Sequence, residues 1–122
     1  MKWRIAPCAY IFLLLSPSLA LAHAYLVKSV PARRATLFAS PDRIQLWFNE
    51  RLEPRYSSAS VIDAGGNRVG LRDAQVGNKD PKQLSVGVKQ LAPGRYSVNF
   101  RVLSVDGHIV QQNFSFTIRA PK

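Results

Sequence analysis

The chain has 122 residues, 17 lysines and arginines against 7 acids, and a net charge of +10. A length in this range suits one domain with a working hydrophobic core. One cysteine, Cys8, rules out an internal disulfide framework and a cysteine-built zinc site.

The first segment reads as a secretory signal. Lys2 and Arg4 supply a positive start, "AYIFLLL" at 9–15 a short apolar run, and "ALA" at 20–22 the small-residue pattern of a cleavage site. Ser16, Pro17 and Ser18 break the apolar run well short of the roughly 20 residues that a bilayer span needs. Cys8 precedes the apolar run, so it is not placed to carry a lipid at the cleavage point. Cleavage after Ala22 is expected, giving a signal peptide over 1–22 and a domain over 23–122. Cys8 and Met1 leave with the leader, so that domain has neither cysteine nor methionine. Lys2 and Arg4 leave as well, and the net charge falls to +8. The remaining basic residues are scattered, never more than two in a row, which suits solubility and attraction to anionic envelope lipids better than a nucleic-acid site.

Hydrophobic periodicity beyond residue 23 is two, not 3.6. In "RIQLWFN" at 43–49, Ile44, Leu46 and Phe48 share a face. In "RYSVNFRVL" at 95–103, Tyr96, Val98, Phe100 and Val102 do so, and in "NFSFTIR" at 113–119, Phe114, Phe116 and Ile118. Three half-buried strands follow, with weaker strands expected at 25–30, 58–63, 67–71 and 84–88. "SPDR" at 40–43, "DAGGNR" at 63–68, "GNKDPK" at 77–82 and "APGR" at 92–95 punctuate them. Tyr96 reads as core or corner packing. The expected fold is all-β: about seven antiparallel strands in a Greek-key, immunoglobulin-like sandwich.

Both histidines stand in chemically suggestive places. His23 would become the first residue after cleavage, with a free α-amine whose pKa of about 7.7 to 8.0 lets it deprotonate far more easily than a lysine. Amine and Nδ1 together can chelate a metal. His108 lies in "LSVDGHIVQQ" at 103–112, two residues after Asp106, so imidazole and carboxylate can point the same way in an extended segment. Gly107 lets the backbone bend between them. Three nitrogens and one carboxylate oxygen in a tetragonal plane suit Cu(II), which also heads the divalent stability order. Taken alone, Asp-x-His is equally a solvated loop pair.

These features meet in "HAYLVKSVPA" at 23–32, "IQLWFNERLEP" at 44–54, "LAPGRYSVNFRVLSVDGHIV" at 91–110 and "FSFTI" at 114–118. Together they resemble the CopC family of periplasmic copper-binding proteins over essentially the whole of 23–122. The resemblance implies a small Greek-key barrel or sandwich of cupredoxin-like topology. It implies Cu(II) held by His23, Asp106 and His108, with Glu50 of "FNE" as a weak ligand or a supporting group. It also implies a monomeric periplasmic carrier, not an enzyme, that passes copper to an inner-membrane CopD-like partner. Some relatives carry a methionine-rich loop for Cu(I), but residues 72–82 here are mostly polar and contain no methionine, so a single Cu(II) site is expected. Two other readings stay open: a copper monooxygenase-like enzyme using an N-terminal histidine brace, and an adhesive sandwich with no metal. Neither a hydrolase triad nor a phosphate loop is present.

Overall fold

A computed structural model describes residues 24–121. Eight strands form two four-stranded sheets. β1 (Leu26–Val30), β3 (Arg43–Phe48), β6 (Gln83–Gly87) and β5 (Gln75–Val76) lie side by side in the order β1-β3-β6-β5. β2 (Thr36–Leu37), β8 (Ile109–Ile118), β7 (Gly94–Leu103) and β4 (Ser58–Asp63) form the other sheet in the order β2-β8-β7-β4. A 3-10 turn over Pro54–Tyr56 precedes β4. The all-β sandwich matches the expectation, with one strand more than expected and one parallel pairing, β2 with β8.

The period-two pattern sets the layers. Ile44, Leu46 and Leu84 on one sheet and Val98, Val102 and Phe116 on the other are fully buried. Each such side chain contributes about 1.5 to 3 kcal/mol of hydrophobic stabilisation. Phe48 meets Phe100 edge-on across the two sheets, ring centroids 5.4 Å apart at 73°. Tyr96 stacks on Phe116 at 5.5 Å and donates its hydroxyl to the Ala92 carbonyl at 2.5 Å, so it is both core and corner. That bond gives the phenol a partner at the rim of an apolar layer.

The weaker strands differ in detail. The expected strand at 67–71 is reduced to two isolated bridges, Ile62↔Arg68 and Gly70↔Val88. Those partners lie on or beside different sheets, so the segment crosses between layers and cannot hold a ladder. Gly70 passes close to β4: a Cβ there would sit 3.3 Å from the Val61 nitrogen. β2 and β5 are two-residue edge pairings with no alternation to betray them. β8 begins at Ile109, four residues before the expected start, because the β7–β8 ladder runs unbroken from Gly94↔Ile118 to Leu103↔Ile109. That ladder delivers the Asp106–His108 turn to one end of the sandwich.

Candidate metal centre

The turn between β7 and β8 is closed by its own backbone. Ser104 donates its amide to the His108 carbonyl at 2.9 Å, and Gly107 donates to the Ser104 carbonyl at 2.9 Å. Gly107 has φ of +95°, a value that side-chain-bearing residues rarely adopt. The glycine between the two candidate ligands is therefore required by the bend.

Within this turn Asp106 and His108 come together. His108 Nδ1 lies 3.0 Å from Asp106 Oδ1, and both side chains are about one-third exposed, at 35% and 39%. The His108 amide also donates to the same oxygen at 3.3 Å. Ser104, fully buried, donates its hydroxyl to Asp106 Oδ1 as well. The Ser104 hydroxyl, then the His108 side chain, hold the Asp106 carboxyl below its ordinary value of 3.8, so it is ionised at neutral pH. All these bonds fall on Oδ1. Ser104 also receives the His108 amide at 3.3 Å, which makes it the hub of the turn.

Sequence reasoning did not single out Ser104. Its signal is a serine two residues before Asp106 at the mouth of a glycine-containing turn, where a short hydroxyl can reach a carboxylate two residues on. The segment is a closed turn, not the extended stretch expected from the Asp-x-His spacing.

Residues 49–53 tie this turn to the start of the described chain. At one end the Tyr25 amide donates to Asn49 Oδ1 at 2.6 Å, and the Asn49 amide donates to the Tyr25 carbonyl at 3.2 Å. At the other end Val105 donates to the Arg51 carbonyl at 2.9 Å and Glu53 to the Leu103 carbonyl at 2.8 Å, while Leu52 bridges Ser104. Glu50 stands half-buried between these attachments. No hydrogen bond joins its carboxylate to Asp106 or His108 among the described residues. Ala24 is buried at 2% exposure, so the chain is packed into the fold at the residue after His23. His23 itself lies outside the described residues.

The described residues thus bring Asp106 and His108 together and hold Glu50 on the connecting segment. Among them no group of three histidine, cysteine, aspartate or glutamate side chains forms a metal cluster. One imidazole and one carboxylate make half of a nitrogen-and-oxygen site, and a full one needs donors from outside the turn.

A CopC domain model matches residues 26–119. The chain belongs to the CopC family. This CopC chain is 35% identical to the protein YobA of Escherichia coli K12 over 99 residues, covering 80% of each. It is similar in structure to CopC from Methylosinus trichosporium OB3b, with TM-score 0.76 and 38% identity, over 82% of this chain and 97% of that one. It is also similar to PcoC, described as a methionine-rich copper resistance protein from Escherichia coli, with TM-score 0.70 and 30% identity, over 80% of this chain and 99% of that one. The contrast in methionine is plain, since the only methionine here is Met1.

Proposed function

We propose that this CopC chain is an exported copper-binding protein: a periplasmic carrier for Cu(II) in copper homeostasis and resistance, with 1–22 as the signal peptide and 23–122 as the working domain. The observation that carries this reading is the backbone tether just described. Residues 49–53 bond to Tyr25 on one side and to the Asp106–His108 turn on the other. The described chain is thereby bonded, at Tyr25, to the segment that carries Glu50 and that also holds the Asp106–His108 turn.

In this reading His23 supplies its α-amine and Nδ1, His108 supplies Nε2, and Asp106 supplies Oδ2 or acts through His108. The bond from Nδ1 to Asp106 supports the choice of nitrogen, because a ligating imidazole is commonly oriented by a carboxylate on its other ring nitrogen. Glu50 supports the cluster from the connecting segment. The donor set is nitrogen and oxygen, which favours Cu(II), while the absence of cysteine and methionine beyond residue 22 argues against a Cu(I) site. Copper is cargo here: it moves by ligand exchange and nothing is turned over. A monomer delivering to a CopD-like membrane protein fits this use.

Titration tests the reading. Residues 23–122 should take up one equivalent of Cu(II), quenching Trp47, the one tryptophan left after removal of Trp3. His108→Ala should abolish tight uptake. Stoichiometric binding that is unaffected by His108→Ala would refute it.

A further inference from the structure

Away from the turn, the outer face of the β2-β8-β7-β4 sheet has a charge pattern of its own. Two adjoining open hollows run along it and share Asn113. One carries Arg33, Arg34 and Arg95, the other Arg68 and Arg101. Asp63 is the single carboxylate that lines either hollow, and it is committed to its own turn, accepting the amides of Gly65 at 2.9 Å and Asn67 at 2.8 Å. Among the described residues none of the five arginines forms an ion pair, and all five are exposed. Arg34 has φ of +63°, and its amide bonds to the Ser115 carbonyl at 2.6 Å, which fixes the Arg33–Arg34 turn against β8.

The choice of cation is informative. The four described lysines, Lys28, Lys79, Lys82 and Lys89, belong to strands and loops of the opposite sheet, while these hollows hold arginine alone. Arginine presents a planar fork that meets phosphate through two hydrogen bonds, which a lysine cannot do. Between the arginines the uncharged polar lining is serine, asparagine and glutamine, with Ala59 and Ala64 beside them. The aromatic residues at the hollows, Tyr96, Phe100 and Phe114, are buried at 6%, 2% and 7% exposure, so the hollows themselves offer no ring for a base to stack on.

We infer that this arginine-bearing sheet face docks on the phosphate headgroups of an anionic lipid surface. A broad strand face with dispersed guanidinium groups and no stacking platform in its hollows matches a two-dimensional array of phosphates better than a nucleic acid. Arg101 pairs in register with Gln111, near the end that carries the Asp106–His108 turn, and Arg95 with Thr117 near the opposite end. Docked this way, the domain keeps that turn at the edge of the footprint, open along the membrane surface.

Co-sedimentation of residues 23–122 with phosphatidylglycerol–phosphatidylcholine vesicles, without added copper, tests this. Residues 23–122 are the working domain proposed above, and they leave out the apolar run at 9–15, which would itself enter lipid. The domain should sediment with these vesicles and not with phosphatidylcholine alone, and should be released by salt. Each arginine near an anionic leaflet is worth roughly a five-fold gain in partitioning, so Arg95→Gln with Arg101→Gln should weaken it roughly twenty-fold. Lys79→Gln with Lys89→Gln removes the same charge from the other side and should weaken it by less than about three-fold, through long-range attraction alone. Both pairs are exposed, and circular dichroism checks their folding; Arg101→Gln alone, at roughly five-fold, gives a second reading. Equal losses from the two pairs, or no sedimentation with anionic vesicles, would overturn the inference. So would tight binding of an RNA oligonucleotide by the same arginines without vesicle binding. No metal enters the experiment, so its outcome is independent of the copper reading.

Discussion

Asp106 grips His108 by its ring: carboxylate Oδ1 and imidazole Nδ1 are 3.0 Å apart, and the Ser104 hydroxyl binds the same oxygen from the buried side. The carboxylate therefore fixes which ring nitrogen faces inward. The bond also makes Ser104, which carries no charge and is hidden from solvent, a determinant of how the imidazole is presented.

Ser104→Ala should loosen this arrangement. It leaves the buried side of the Asp106 carboxylate without its donor and removes one of the two acceptors near the His108 amide. A loss of about 1 to 3 kcal/mol is expected in urea unfolding. Copper affinity should fall roughly 10- to 100-fold in competition titrations, as for other groups that orient a ligand. Wild-type affinity in a folded Ser104→Ala protein would show that the hydroxyl does not position His108.

Gly107→Ala isolates a backbone effect. A Cβ at this position meets nothing within 4 Å, so the cost is purely that of holding φ at +95°. Thermal or urea unfolding should show a destabilisation of about 1 to 2 kcal/mol. The copper spectrum should change too, because relief of the strain moves Asp106 relative to His108. No loss of stability would mean that the turn can adopt a different bend.

The acid limb of stability should depend on Asp106. Its carboxyl is held below 3.8 in the fold, chiefly by Ser104 and then by His108. Asp63 is lowered as well, first by the Asn67 backbone amide. The stabilisation from a lowered carboxyl is fully present above the unfolded value and is lost as pH falls through the folded one. These two groups should therefore contribute no pH dependence above about pH 5, and a falling stability below 3.8. Urea midpoints taken across that range should fall less steeply for Asp106→Asn than for the parent. Parallel curves would contradict the assigned bonding.

Much of this fold was legible in the chain because its strongest strands alternate cleanly. Ile44, Leu46 and Phe48, the even-numbered run from Tyr96 to Val102, and Phe114, Phe116 and Ile118 all point inward as their spacing requires. What alternation cannot encode is an element whose register is set by its neighbours. Thr36–Leu37 and Gln75–Val76 pair only because an adjacent strand end is within reach, and residues 68–70 divide their bonds between two sheets. The candidate site was legible only in part. Asp106 and His108 are two residues apart, so chain geometry brings them together. Glu50 reaches the same end only through pairings of its neighbours with residues 25 and 105, more than 20 residues away in each direction.

The sheet-to-sheet aromatic contact gives a further check on packing. Phe100 spans the layers to Phe48 just beneath the segment that carries Glu50. Phe100→Ala should cost about 3 to 5 kcal/mol in urea unfolding through the cavity it leaves. A loss below about 1 kcal/mol would mean that this end of the core is not closely packed.

The central claim is that the first residue after cleavage completes the copper site with its own amine. Electron paramagnetic resonance of the one-to-one Cu(II) complex tests this most directly, comparing residues 23–122 with the same domain bearing one extra residue ahead of His23. A tetragonal spectrum with coupling to three nitrogens is expected for the former, with a changed spectrum and weakened binding for the latter. An identical spectrum and affinity in the extended protein would contradict the claim.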